Sequence, residues 1–174
     1  MRSIKITLIF AINVNCPPCF RLTFDILPKA KQLAAVKNLF AVHTISSVKL
    51  VNKLDSYGGS IGCFVQINVS GEETKSGISC NDISSIKTVV QSVMESKNLR
   101  LQGLMTIGLP KKENSNDHIQ GFKNLVTVRD KLELPDLQLS MGMSSDFVEA
   151  IEHGADYVRV GSKLFGARDY SKAN

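Results

Sequence analysis

The stretch LQLSMGMSSDFVEAIEHGADYVRVGS, residues 137–162, decides the fold class. Leu137 to Met141 is a short apolar run of the kind that forms a buried strand. Asp146 stands where a helix cap belongs, and Glu149 three residues later completes a box-like pattern. Phe147 and Ile151 then share one helical face, and Gly154 ends the helix. Tyr157-Val158-Arg159-Val160 is a second strand, and Gly161-Ser162 opens a turn. A strand, a short helix and another strand in that order imply parallel strands joined by a right-handed crossover.

Working outward, the same unit recurs. Phe122, Leu125, Val126, Arg129 and Leu132 fit a helix with Pro135 beyond its end, and Leu99 to Ile107 is the strand before it, followed by a polar loop from Pro110 to Asp117. Asn81 or Asp82 caps a helix whose Ile83, Ile86, Val90, Val93 and Met94 form one stripe. Gly62 to Val69 alternates, with Cys63, Val65, Ile67 and Val69 on one face and Phe64, Gln66 and Asn68 on the other. The polar stretch Ser70 to Ser79 reads as a loop of functional length. Further back, Leu39 to Ile45 suits a strand, Ser46 or Ser47 a cap, and Val48, Val51 and Leu54 a helix broken by Tyr57-Gly58-Gly59-Ser60. Only the first 28 residues differ in texture, which places the one boundary between 1–28 and 29–174.

The chain has 174 residues, too few for a complete (β/α)₈ barrel of roughly 200 or more. Hydrophobic residues are 43% and charged residues 21%, a soluble globular balance. The net charge of +5 comes from scattered Lys and Arg. That suits a small anionic ligand and argues against nucleic acid. Trp is absent and aromatics are 6%, which disfavours a stacking platform for single strands. Four cysteines do not make a disulfide scaffold. Cys16-Pro17-Pro18-Cys19 has redox spacing but no clear helix start after it, so both thiols read as incidental and reduced. Cys63 and Cys80 read as inert small apolar residues. No window approaches 18 consecutive apolar residues, so no transmembrane helix is expected. The apolar start, Ile6 to Ile12, loosely resembles a signal peptide but is interrupted by Asn13 and Asn15. It reads better as a strand or tail.

Ligands of parallel α/β folds sit at the carboxyl ends of strands. Two such ends converge here. In Ser140-Met141-Gly142-Met143-Ser144-Ser145-Asp146, hydroxyls and backbone N–H groups meet at a helix start, which suits either a plain cap or a phosphate. In Arg159-Val160-Gly161-Ser162, Gly161 allows close backbone approach and Ser162 adds a hydroxyl. Arg159 alternates with Val158 and Val160, so it faces the other side of its strand. It is either a surface or ion-paired residue or, pointing into a barrel mouth, a ligand contact. His43, His118 and His153 have no metal-ligand spacing, and no Walker, GxGxxG or GxSxG motif occurs. His153 before Gly154 places a positive charge at a helix C-terminus. The sequon Asn68-Val69-Ser70 ends a buried strand and is discounted. Lys111-Lys112 reads as solvated surface.

From about Lys29 onward the residues resemble the pyridoxal phosphate homeostasis protein family, whose fold matches the barrel domain of alanine racemase. The stretches that carry the resemblance are Asn38-Leu39-Phe40, the Gln66-to-Gly77 loop (Gln66-Ile67-Asn68-Val69-Ser70-Gly71-Glu72-Glu73-Thr74-Lys75-Ser76-Gly77), Gly103-Leu104-Met105-Thr106-Ile107, Leu139-Ser140-Met141-Gly142-Met143-Ser144 with Asp146, and Val158-Arg159-Val160-Gly161-Ser162 running into Phe165-Gly166-Ala167-Arg168-Asp169-Tyr170. The resemblance implies a partial (β/α)₈ TIM barrel of the alanine racemase type with about five βα units, the first units missing. It implies binding of pyridoxal 5′-phosphate (PLP) by a non-catalytic cofactor carrier or buffer in PLP homeostasis. Ser144, Gly161 and Ser162 would form the phosphate cup, Arg159 would face the pyridine nitrogen, and Met141 would lie near the ring. Implied partners are PLP and PLP-dependent apo-enzymes, with no nucleic acid or membrane, in the cytoplasm or mitochondrion. The family's Schiff-base lysine has no counterpart. Lys5 lacks the expected surroundings, and Lys29 and Lys31 fall in a later helix. The chain therefore reads as the carboxyl-terminal five units of an incomplete, mis-spliced, isoform or degraded copy, preceded by an unrelated segment. The alternatives are an alanine-racemase-like PLP enzyme and a fragment that no longer binds ligand. The enzyme would need that lysine and a second base, yet Tyr57, Tyr157 and Tyr170 lie in a turn, at a strand start and near the terminus. A five-strand arc would have two open edges, one of which the Ile6–Ile12 run could patch.

Overall fold

The computed structural model describes residues 5–8, 19–20, 30–36, 39–72, 74–111 and 115–166. Cys16, Lys29, Asn38, Glu73, Lys112 and the 167–170 stretch, which entered the sequence reading, lie outside them. The elements alternate: β1 (Lys5–Leu8), β2 (Cys19–Phe20), α1 (Ala30–Ala34), β3 (Ala41–Ile45), α2 (Val48–Asp55), β4 (Ile61–Asn68), β5 (Ile78–Ser79), α3 (Ile83–Glu95), β6 (Leu99–Met105), α4 (Asp117–Lys131), β7 (Gln138–Met143), α5 (Phe147–Glu152), β8 (Tyr157–Val160) and α6 (Ser162–Phe165). The strands form one sheet in the order β1-β8-β7-β6-β4-β3-β2, and β5 pairs with the end of β4 off this path. Every pairing is parallel. The arc of β3, β4, β6, β7 and β8, each followed by a helix, is the expected set of βα units. The backbone of Lys5–Leu8 lies along β8, so that part of the amino-terminal apolar run covers one edge as a strand.

The sheet is curled, and side chains show it. β3 and β8 are four strand spacings apart in the sheet order, about 19 Å if flat. Yet the rings of His43 on β3 and Tyr157 on β8 have centroids 6.0 Å apart, and Phe64 of β4 completes the cluster at 4.1 Å from His43 and 5.3 Å from Tyr157. Alternation along each strand therefore feeds two layers. Cys63, Val65, Ile67, Leu139, Met141, Val158 and Val160 pack outward with the helices, whereas Ala41, Phe64, Met105 and Tyr157 fill the inside of the curl. This is a partial (β/α) barrel. Gly103 on β6 is required by the curvature, because a Cβ there would sit 1.8 Å from the Gln138 carbonyl oxygen of β7.

The helices follow their sequence signals with two departures. The Ser47 hydroxyl accepts from the Leu50 N–H at 3.3 Å, and the Asp82 carboxylate from the Ser85 N–H at 3.0 Å, so these are the caps of α2 and α3. In α3 the buried stripe is Ile86, Val89, Val90 and Val93, while Met94 is 53% exposed, being one position past the centre of that face. Asp146 occupies the N-cap position of α5 but makes no side-chain cap bond. Its carboxylate accepts instead from the Met143 N–H at 2.6 Å, and Glu149 pairs with Lys111, so no capping box forms. The carboxylate is spent on closing the β7–α5 turn.

Candidate functional site

The carboxyl ends of β6, β7 and β8 meet at one end of the curl. β7 bulges between Ser140 and Met143. Gly142 in that bulge has φ +91°, and a Cβ there would come within 2.5 Å of the Ala150 Cβ. Only glycine allows α5 to press this close to its strand. The turn that follows presents the half-buried Ser144 toward β8. There the Gly161 N–H donates to the Ser144 hydroxyl oxygen at 2.9 Å, and the Lys163 N–H approaches the same oxygen at 3.4 Å. Two loops separated by a helix and a strand are thus bound into one surface. With its lone pairs facing the backbone, the Ser144 hydroxyl has its own hydrogen free to donate outward. Ser162, exposed beside Gly161, adds a second hydroxyl.

Arg159 lies two residues before Gly161 on β8 and points inward, as its alternation with Val158 and Val160 required. It is 3% exposed. Its guanidinium donates to the Ser140 hydroxyl oxygen at 2.9 Å and to the Thr106 carbonyl at 2.7 Å. The surface-arginine alternative is thereby excluded. The Ser140 oxygen also lies 3.1 Å from His43 Nδ1. Burial, and secondarily the Arg159 charge, push the pKa of His43 down to about 3. On the same end, a cavity of about 410 Å³ opens between the β4 and β6 carboxyl ends, lined in part by Asn68, Lys75, Thr106 and Met143. Asn68 organises its rim by donating to the Glu72 and Lys75 carbonyls and accepting from the Ser70 N–H.

Of the five residues singled out from the sequence, Ser144 and Gly161 are in direct contact, Ser162 adjoins them, and Arg159 stands one strand turn below. Met141 is not brought to them: it is fully buried in the outer core, on the face away from Ser140 and Arg159. Sequence reasoning missed His43, Ser140 and Thr106 as partners of Arg159. The signal for Ser140 was present, since it alternates with Leu139 and Met141. His43 is equally a polar residue in the buried strand Ala41–Ile45. Among the described residues no group of three His, Cys, Asp or Glu side chains is placed to hold a metal ion, and no helix is long and apolar enough to cross a membrane. Cys63 has its thiol pushed up to about 12 by burial and is an inert core residue, as read.

Fold and site together define an α/β partial barrel with hydroxyls and amides converging on its carboxyl end and a buried arginine beneath them. The family described as alanine racemase, N-terminal domain, matches residues 17–169, and the chain belongs to it. Curated relatives include the pyridoxal phosphate homeostasis proteins of Schizosaccharomyces pombe, 40% identical over 152 residues, and of Homo sapiens, 40% identical over 153. These alignments cover 83% and 81% of this chain but only 62% and 55% of the relatives' own lengths. Among solved structures, PipY of Synechococcus elongatus with PLP bound superimposes with a TM-score of 0.68 at 26% identity, over 86% of this chain and 71% of that one. Alanine racemase of Clostridium difficile shares the fold, with a TM-score of 0.67 at 18% identity over 88% of this chain and 41% of that one.

Proposed function

We propose that this chain binds pyridoxal 5′-phosphate through residues 29–174 and serves PLP homeostasis as a non-catalytic carrier. The observation that carries the reading is the Gly161 N–H to Ser144 hydroxyl bond of 2.9 Å, which sets two loops side by side as one anion cup. The donor set fits the group. Serine hydroxyls and backbone amides suit a phosphate dianion, and a buried cation lies one strand turn away. Ser144, Gly161 and Ser162 hold the phosphate. Arg159 faces the ring nitrogen and keeps a proton off it, since a second positive charge there would be repelled. Bound PLP supplies an electron-accepting ring, and a ring left unprotonated is a weak acceptor, which suits storage better than carbanion chemistry. The homeostasis relatives and the PLP-bound PipY neighbour support the same ligand. Transfer to PLP-dependent apo-enzymes, in the cytoplasm or the mitochondrion, belongs to this reading.

The test is equilibrium binding of PLP to the purified chain, followed by absorbance before and after borohydride. Binding that inorganic phosphate competes away and borohydride does not fix supports the cup. A borohydride-fixed adduct would mean that a lysine joins the site and would favour the enzyme reading. No binding would favour the fragment reading. Ser144→Ala combined with Gly161→Val should abolish retention, and unchanged retention would place the phosphate elsewhere.

A further inference from the structure

The inside of the curl holds a polar group that phosphate binding does not use. His43 is 4% exposed and packs against the Phe64 and Tyr157 rings. Its Nδ1 meets the Ser140 hydroxyl, which also meets Arg159. The hydrogens on this relay follow from which arrangement leaves the fewest buried groups unmet. A guanidinium has only donors, so the Ser140 oxygen accepts from Arg159. The Ser140 oxygen has a second lone pair, but if His43 donated to it from Nδ1 both the Ser140 proton and His43 Nε2 would be left without a partner; with Nδ1 accepting the Ser140 proton only Nε2 is left unmet. An imidazole that accepts at Nδ1 and is neutral carries its proton on Nε2. That Nε2 is buried and finds no hydrogen-bond partner among the described residues. The fold thus leaves one polar atom of His43 unpaired while the other is held. Charging the ring would take away the acceptor that Ser140 needs and set a second cation beside Arg159. Burial and that same charge keep the ring neutral down to about pH 3.

We infer that His43 is a positioning residue for Arg159: as a neutral, Nε2-protonated imidazole it takes the Ser140 proton and so turns the Ser140 lone pair onto the guanidinium. The Thr106 carbonyl fixes the second guanidinium nitrogen. Together they fix the orientation of the planar Arg159 fork, the group that would meet the ring nitrogen in the proposed complex. The consequence for the ligand rests on the proposed PLP binding; the hydrogen-bond relay does not.

Two measurements decide it. Long-range ¹H–¹⁵N NMR of the full chain without ligand should show the His43 ring neutral and protonated on Nε2, unchanged from pH 7.5 to pH 5. An Nδ1-protonated or charged ring in that range overturns the inference, whether or not PLP binds. The second measurement uses His43→Phe, which keeps a ring and removes the acceptor, alongside Ser140→Ala and the double variant. Each single change should weaken PLP about tenfold and shift the absorbance maximum of the bound cofactor. The double variant should do no more than either single one, since both cut the same relay. His43→Asn, which restores an acceptor, should recover affinity to within threefold of the parent. Parental affinity and absorbance maximum in both His43→Phe and Ser140→Ala would sink the relay. If the parent chain itself fails to take up PLP, the functional reading falls and the NMR result still decides the tautomer.

Discussion

Arg159 is a permanent charge, 3% exposed, and its fork donates to groups from different strands, Ser140 on β7 and Thr106 after β6. Arg159→Lys keeps the charge but replaces a planar fork by a single ammonium, which cannot reach both acceptors in the same geometry. Urea unfolding should show a loss of about 1–3 kcal/mol, the cost of leaving one buried polar group unmet. An unchanged midpoint would mean that the fork is not needed. His43 makes a second residue-level statement, about pH. Its ordinary value is 6.5 and in the folded chain it is about 3. Between those values the unfolded chain binds a proton that the folded chain refuses, so stability falls as pH falls through that window. The slope is at most roughly 1.4 kcal/mol per pH unit. Urea titrations at pH 7 and pH 5 should therefore show a smaller loss for His43→Phe than for the parent. Equal losses would contradict the burial of a neutral imidazole.

At the scale of strands and helices, close approach governs. Gly103→Ala would drive a Cβ into the β7 backbone at 1.8 Å, where no side chain can rotate away. The variant should lose more than about 3 kcal/mol or fail to fold, read by circular dichroism and urea unfolding. Ser47→Ala removes the α2 cap and should cost about 1 kcal/mol. These local features also explain what the sequence made legible. The strand–helix alternation, the caps at Ser47 and Asp82 and the inward side of Arg159 all follow from short-range pattern, and the structure has them. The Ser144–Gly161 pairing was readable because both residues end strands that neighbour one another in a parallel sheet. Three things were not readable. Asp146 stands at the cap position, yet its carboxylate accepts from Met143, on the strand side of the turn, and not from the first turn of α5. Met141 lies in the outer core, as simple alternation with Ser140 dictates, whereas the resemblance grouped it with the cup residues. His43 joined the site only because the sheet curls, and curvature leaves no mark on a single strand.

For the molecule as a whole, ligand binding is a stability term. A ligand that binds only the folded chain adds about 2.7 kcal/mol at a concentration 100 times its Kd. For a chain of this size that is a rise in Tm of roughly 5–10 °C. PLP should produce this shift in the parent and none in the Ser144→Ala, Gly161→Val double variant, measured by differential scanning calorimetry. A shift of equal size in both would show that the cofactor docks outside the cup. The bond between His43 and Ser140 joins residues 97 apart in the chain. During synthesis β3 and β4 leave the ribosome long before β7 and β8 can cover them. Phe64 and His43 must wait in water until the later strands arrive, and parallel, long-range pairing of this kind is slow. The nascent chain is therefore most vulnerable after β4 has emerged and before β7 has, and that interval is when a chaperone would be needed to shield it.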